Sequence, residues 1–236
     1  MPRDQIPPPS ALLQMLEARA LPEASMLMAQ LPLLRLQAPK GQGDQVMVLP
    51  GYMTSDASTW LLRRFLSDIG YSVVGWGLGI NRGPTLSFLP KLESRIQDLA
   101  NEAQASVHLV GWSRGGTLSR EIARDRPDLV RQVITLGSPV QGGPGATSLN
   151  RFVQLETGKS AEFMREAMRQ RNQTPITVPI TAIYSRSDGV VAWQAAIDDR
   201  NPTVEHIEVD GSHSGLGWNA QVYRLLARRL HKPLSA

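Results

Sequence analysis

A serine, an aspartate and a histidine, each placed after an apolar run, are the residues of this chain whose types and spacing can do chemistry together. Ser113 lies in Gly111-Trp112-Ser113-Arg114-Gly115, after Val107-His108-Leu109-Val110 and before a helix-like pattern. Strand, glycine-flanked serine and helix is the order that a nucleophile elbow requires. The turn is tight, and glycine two residues to either side of the serine removes side chains that would collide with strand and helix. Asp188, in Ser185-Arg186-Ser187-Asp188-Gly189, and His213, in Asp210-Gly211-Ser212-His213-Ser214-Gly215, follow later apolar runs. A hydroxyl is a poor nucleophile at neutral pH until an imidazole takes its proton, and the imidazole needs an acid that orients it and stabilises its charged form. His213 is the expected base and Asp188 the expected acid. A G-x-S-x-G match alone arises by chance in many loops; the weight comes from three placements that agree.

The other histidines and acids fit bland roles better. His108 falls inside an expected central strand, as a hydrogen-bonded core residue; His206 lies within the last strand and His231 near the C-terminus. Asp210 reads as a turn residue, and Asp198 and Asp199 as part of a helical stretch. Attack on a carbonyl also needs donors for the oxyanion. The backbone N–H of Arg114, at a helix start, is one expected donor. The second is expected from Pro50-Gly51-Tyr52-Met53, with Tyr52 N–H the first choice and Met53 the second.

The elements that must position these residues alternate from about residue 45 onward. Apolar runs at 46–49, 71–74, 107–110, 133–136, 180–184 and 204–209 read as strands. Helical periods lie between them: Leu61, Leu62, Phe65, Leu66 and Ile69, stopped by Gly70; Leu89, Leu92, Ile96 and Leu99; Leu118 and Ile122; and last Val222, Leu225, Leu226 and Leu230. This is the α/β pattern of a mostly parallel central sheet with helices on both faces. In such sheets ligands sit at the carboxyl ends of the strands, which is where Ser113, Asp188 and His213 fall. Two segments break the rhythm. Residues 10–40 form an N-terminal helical extension, with one or two apolar-faced pieces interrupted at Pro22. Residues 140–178 are too long for a simple connection and carry one short amphipathic helix around Ala161, Phe163, Met164, Ala167 and Met168, a lid candidate.

Composition narrows the classes. The 236 residues suit one domain spanning residues 1–236. Cysteine is absent, which removes disulfides, thiolate metal sites and a cysteine nucleophile. No spaced cluster of His, Asp and Glu suggests a metal, and the triad chemistry needs no cofactor. The net charge of +4 is spread over helical segments, with Arg63, Arg64, Arg165, Arg169, Arg224, Arg228 and Arg229 read as solvated faces, so no nucleic-acid partner is expected. The start, through Pro7-Pro8-Pro9, is polar, and no apolar run approaches about 18 residues; a cytoplasmic protein without membrane insertion is expected.

Across roughly residues 45–232 the chain resembles the α/β-hydrolase superfamily, and within it the lipase-like esterases. The resembling segments are Leu49-Pro50-Gly51-Tyr52, the glycine-flanked Ser113, Ile134-Thr135-Leu136-Gly137-Ser138-Pro139, the stretch from Tyr184 to Val191, and Gly211-Ser212-His213. The chain order Ser, Asp, His matches that superfamily among the unrelated triad folds. The resemblance implies a serine hydrolase that cleaves a carboxylic ester through an acyl-enzyme. The expected partner is a small-molecule or lipid-like ester whose acyl part is apolar, lined or covered by the helix at 161–168 or by Met15, Met26 and Met28. Acyl transfer and thioester or amide cleavage use the same triad, and a non-catalytic binding protein is a further alternative, although such proteins usually lose a triad member. Pro50-Gly51 stands where a His-Gly pair is common, and Trp112 where lipases often have histidine; neither change removes a backbone donor. Trp112 is expected to fill space beside the elbow.

Overall fold

The computed structural model describes residues 6–201 and 204–232; residues 1–5, in the proline-rich start, lie outside them. Strands β1 (Gln45–Leu49), β2 (Ser72–Gly75), β3 (Val107–Trp112), β4 (Val130–Leu136), β5 (Ile180–Tyr184) and β6 (Val204–Glu208) form one sheet. Its order is β2-β1-β3-β4-β5-β6, and every pairing is parallel. Parallel neighbours need crossover connections, and helices supply them. They include α3 (Trp60–Asp68), α4 (Leu89–Ala103) and α5 (Arg114–Asp125), and the final α8 (Ala220–His231) follows the last strand. All six expected strands and these four helices are present, with strand ends moved by up to three residues.

The strands are apolar throughout because both faces of the sheet are covered. Val46, Val48, Val110 and Ile134 pack with Leu61, Phe65, Leu66, Val222, Tyr223 and Leu226 on one face. Met47, Leu49, Leu109 and Val133 pack with Leu92, Ile96, Leu118 and Ile122 on the other. Register then sets what meets at the carboxyl end: Leu49 pairs with Gly111, and Gly111 with Thr135. The loop after β1 is thereby brought beside the elbow after β3.

The N-terminal extension differs from expectation. It runs as α1 (Ala11–Met15), a 3-10 turn at Leu16–Arg19, and α2 (Ala20–Gln37). Pro22 does not interrupt it; it lies in the first turn of α2, where a missing N–H breaks no helical bond. Leu27, Leu31 and Leu34 form the buried stripe of α2, whereas Met15, Met26 and Met28 are exposed. The insertion holds two helices rather than one, α6 (Asn150–Thr157) and α7 (Ala161–Arg171). Gly158, at φ +65, ends α6 in a left-handed cap, and the Ser160 hydroxyl accepts from Phe163 N–H to start α7. Among the described residues no helix is long and apolar enough to cross a membrane.

Two charged positions also differ. Asp198 and Asp199 are not helical; they follow a 3-10 turn at Trp193–Ala196. Asp198 is buried against the equally buried Arg120 of α5, and its carboxylate accepts from Arg120, Asn201 Nδ2 and the backbone of Arg200 and Asn201. Burial works against its charge, but Arg120 and these donors outweigh burial and hold the carboxyl below the usual carboxylate range. A depressed folded pKa contributes stability that is present above the ordinary carboxylate pKa and lost as pH falls through the folded value. Asp198→Ala leaves Arg120 buried and unpaired. Urea unfolding at neutral pH should show a loss of about 3–5 kcal/mol, together with a shallower decline in stability on acidification.

Candidate active site

Ser113 sits at φ +53, ψ −124, between the last residue of β3 and the first of α5. That region is unfavourable for a residue with a Cβ, and the surroundings hold it there: Ser113 N–H donates to Leu136 O at 2.7 Å, and Gly116 N–H donates to Ser113 O at 2.9 Å. A Cβ on Gly111 would lie 2.3 Å from the Gly116 backbone, and one on Gly115 would lie 2.3 Å from Leu49 O. Glycine at both positions lets strand, turn and helix approach this closely. Among the described residues the Ser113 hydroxyl has no hydrogen-bond partner.

Asp188 and His213 come together at the ends of β5 and β6. His213 Nδ1 lies 2.6 Å from Asp188 Oδ2, and both residues are buried. The second carboxylate oxygen, Oδ1, accepts from Val190 N–H at 2.8 Å and Val191 N–H at 2.7 Å, which fixes the acid's rotamer. Burial disfavours the imidazolium, but the Asp188 carboxylate, with a smaller contribution from Glu17, outweighs burial and raises the His213 pKa above its ordinary value. Gly137, at φ +55 beyond β4, makes room: its Cβ would stand 3.0 Å from Asp188 Oδ2 and 3.1 Å from His213 Nδ1. Trp112 is nearly buried beside the elbow and also donates from Nε1 to His213 O at 3.2 Å, so it fills space and anchors the histidine loop.

The loop after β1 passes directly over the serine, where a Cβ on Gly51 would be 3.4 Å from Ser113 Cβ. Met53 N–H is already used, donating to Asn81 O at 2.9 Å. Tyr52 N–H has no acceptor among the described residues. Arg114 N–H is at the first position of α5, where no intrahelical acceptor exists. The Arg114 guanidinium lies 5.5 Å from the centre of the Tyr52 ring and 5.8 Å from that of Phe88, and it donates to Gly83 O. Burial lowers its pKa to about 10, so it remains charged at neutral pH. The Tyr52 hydroxyl donates to Glu156 Oε2 of α6 at 2.8 Å, and burial, with Glu156 beside it, pushes that phenol up to about 12.

A cavity of about 220 Å³ opens beside Ser113. Leu149, Val153, Phe163, Met164, Ala167 and Met168 of the insertion line one side, and Tyr52, Ser113 and Arg114 lie at its floor. The insertion therefore lines the cavity as expected, but Met15, Met26 and Met28 do not. The buried Asp188–His213 pair does not line it; Val190 and Val191, which hold Asp188, do.

No family model matches the chain, and no curated protein does. Solved structures are similar to it. A monoacylglycerol lipase from Paleococcus ferrophilus shares 16% identity with a TM-score of 0.62, covering 81% of this chain and 96% of that one. A structure described under LipS and LipT, two metagenome-derived lipolytic enzymes, shares 15% identity at a TM-score of 0.62, covering 82% and 94%. The thioesterase domain from the curacin biosynthetic pathway shares 17% at 0.59, covering 83% and 93%. This chain has the α/β-hydrolase fold.

Within that fold, sequence reasoning did not anticipate the residues that hold the site's loops. Asn81, fully buried in the glycine-rich loop at 77–84, donates from Nδ2 to Pro50 O at 2.8 Å, and its N–H donates to Thr54 O at 2.8 Å. With the bond from Met53 it ties the loop after β1 at three points. Glu17 and Glu23 of the N-terminal extension reach the loops after β5 and β6. The only signal for Asn81 was a polar residue within a glycine-rich stretch. His108 is the core residue expected, 2.9 Å from Gln132 Nε2 through Nδ1, with its pKa pushed down to about 4 by burial, and Arg131 adding to the effect. Asn81→Ala leaves Pro50 O buried without its donor, and chemical denaturation should show a loss of about 1–3 kcal/mol.

Proposed function

We propose that this chain is a serine hydrolase that cleaves a carboxylic ester with an apolar acyl part. The observation that carries the reading is the strained Ser113 at the floor of an apolar cavity, next to strand ends that hydrogen-bond a buried histidine to a buried aspartate. The lipolytic and esterase descriptions of structures with the same fold support it.

In this reading His213 Nε2 takes the Ser113 proton as Oγ attacks the ester carbonyl, and Asp188 stabilises the imidazolium. The N–H groups of Tyr52 and Arg114 receive the oxyanion. Collapse of the tetrahedral intermediate expels the alcohol, which leaves with the proton from His213, and the acyl group stays on Ser113. Water then attacks the acyl-enzyme with His213 as base, and the carboxylic acid departs. The open hydroxyl of Ser113 is consistent with this cycle, since catalytic hydrogen bonds are often loose before substrate binds. The acyl chain lies against Val153, Phe163, Met164 and Met168, and residues 140–178 act as the cap over it. The chain works as one domain over residues 1–236, with residues 10–40 as its N-terminal extension.

The test is a p-nitrophenyl ester chain-length series on wild type and Ser113→Ala. The mutant should lose about 1000-fold or more in kcat/KM, and a fluorophosphonate should label wild type only; equal rates would remove Ser113 from the chemistry. Because the base works neutral and its pKa is raised, kcat/KM should climb with pH through a value above that of an ordinary histidine. Met164→Trp should narrow the cavity and move the preferred acyl chain to shorter lengths; an unchanged preference would mean that the chain binds elsewhere.

A further inference from the structure

The carboxylate of Glu17 joins the two loops that carry the acid and the base. It lies in the 3-10 turn between α1 and α2, far from both loops in sequence. Its Oε1 accepts from Gly189 N–H and from His213 N–H, each at 2.8 Å, and its Oε2 accepts from Ser214 N–H at 2.9 Å. Gly189 N–H belongs to the peptide that follows Asp188, and His213 N–H is the histidine's own. One oxygen thus holds the backbones of both residues.

We infer that Glu17 is a positioning residue that sets Asp188 and His213 in their mutual geometry; the inference rests on the hydrolytic reading above. Few other bonds do this. Besides the Asp188–His213 contact, Ser185 Oγ donates to Gly211 O at 2.6 Å and Val209 N–H donates to Tyr184 O at 2.9 Å, two to four residues before the acid and the base. The imidazole bond alone leaves both loops free to shift together with their side chains, whereas a shared backbone anchor does not. Packing reinforces the point. A Cβ on Gly189 would come 2.2 Å from Leu13 O, and one on Gly215 would come 1.5 Å from Glu23 Oε2. The Leu13 backbone therefore sits against Gly189 at a distance that only glycine admits, and the Glu23 carboxylate occupies the place of a Gly215 side chain.

The groups facing His213 are few. Asp188 holds the ring from the β5 loop, Glu17 faces it from the N-terminal segment, and the uncharged Trp112 ring lies 6.5 Å away. One residue further out, Glu23 accepts from Ser212 N–H at 3.0 Å and from Ser212 Oγ at 2.6 Å. Arg19 pairs with Glu23 at 3.2 Å and donates to Ser187 O at 3.0 Å. Burial raises the Glu17 pKa, but the three N–H donors more than offset it and keep the carboxyl below its ordinary value, so it is an anion at neutral pH. Its charge adds to that of Asp188 in favouring the imidazolium.

The test compares full-length wild type, Ser113→Ala, Glu17→Gln and Glu23→Gln on one short p-nitrophenyl ester, with kcat and KM resolved across pH. In Glu17→Gln an amide must face three N–H donors with one oxygen. A drop of about 10- to 100-fold in kcat, with KM changed less than about threefold, is expected. The acid limb of kcat/KM should move to lower pH, because a charge that favoured the imidazolium has gone. Glu23→Gln, which loosens the same segment, should leave the acid limb in place. A folded Glu17→Gln with wild-type kcat and acid limb overturns the inference, as does an equal shift of the limb in both variants. If Glu17→Gln shows no cooperative thermal transition, Glu17→Asp replaces it, keeping the charge but withdrawing it by one methylene. A lower kcat with the limb unmoved then supports the inference, and an unchanged kcat overturns it. Equal turnover by wild type and Ser113→Ala would instead defeat the hydrolytic reading, and the inference with it.

Discussion

The site is organised around one unfavourable backbone conformation. Ser113 at φ +53 costs about 1–3 kcal/mol relative to an ordinary residue, and it persists because its neighbours leave no alternative. Gly111, Gly115 and Gly116 let the turn close on itself and on β1. Leu136 O, at the end of β4, takes the serine N–H. The next residue, Gly137, is also left-handed and yields the space in which Asp188 and His213 meet. The strain at the serine and the room for the acid–base pair are thus consecutive residues of a single strand end.

Charges of both signs stand around that point, and it is the anions that lie against the histidine. Carboxylates from three elements, Asp188, Glu17 and Glu23, stand on the side of the histidine loop. The guanidinium of Arg114 lies on the cavity side, over the Tyr52 ring. A buried imidazole with no carboxylate strong enough to offset burial becomes harder to protonate, as His108 illustrates, with Arg131 adding to the effect. His213 is just as buried, yet its pKa moves the other way because anions face it. Two histidines in one sheet-centred fold are thereby given opposite acid–base character by their neighbours.

The six strands and their mostly parallel sheet were legible because parallel strands buried on both faces leave unbroken apolar runs. The placement of Ser113, Asp188 and His213 after strand ends was legible because each follows such a run. What was hidden depended on partners distant in sequence. Glu17 and Glu23 look like solvent-facing acids of a helix, and nothing local announces backbone donors nearly two hundred residues away. Asp198 was misread as helical because apolar and acidic residues alternate plausibly there; its partner, Arg120, lies 78 positions away on α5. In α2, Pro22 looked like a break only because the start of the helix, two residues earlier, carries no side-chain cap. Helix α6 was missed since its apolar residues, Phe152 and Leu155, are exposed, while Val153 turns inward to the cavity.

The contacts of the N-terminal segment also constrain how the chain can reach this state. Glu17 meets His213 across 196 positions, and Glu23 meets Ser212 across 189. Loop-closure entropy must be overcome over that span before either contact gives anything back. During synthesis the helices that emerge early must wait, with the leucine stripe of α2 uncovered, until β6 and α8 have been made. A chain interrupted before its last strand would contain the elbow and Asp188, yet would lack His213 and two of the three backbone donors that hold the Glu17 carboxylate. The arrangement of the pair is in this sense a late event, completed when the two ends of the fold close on each other.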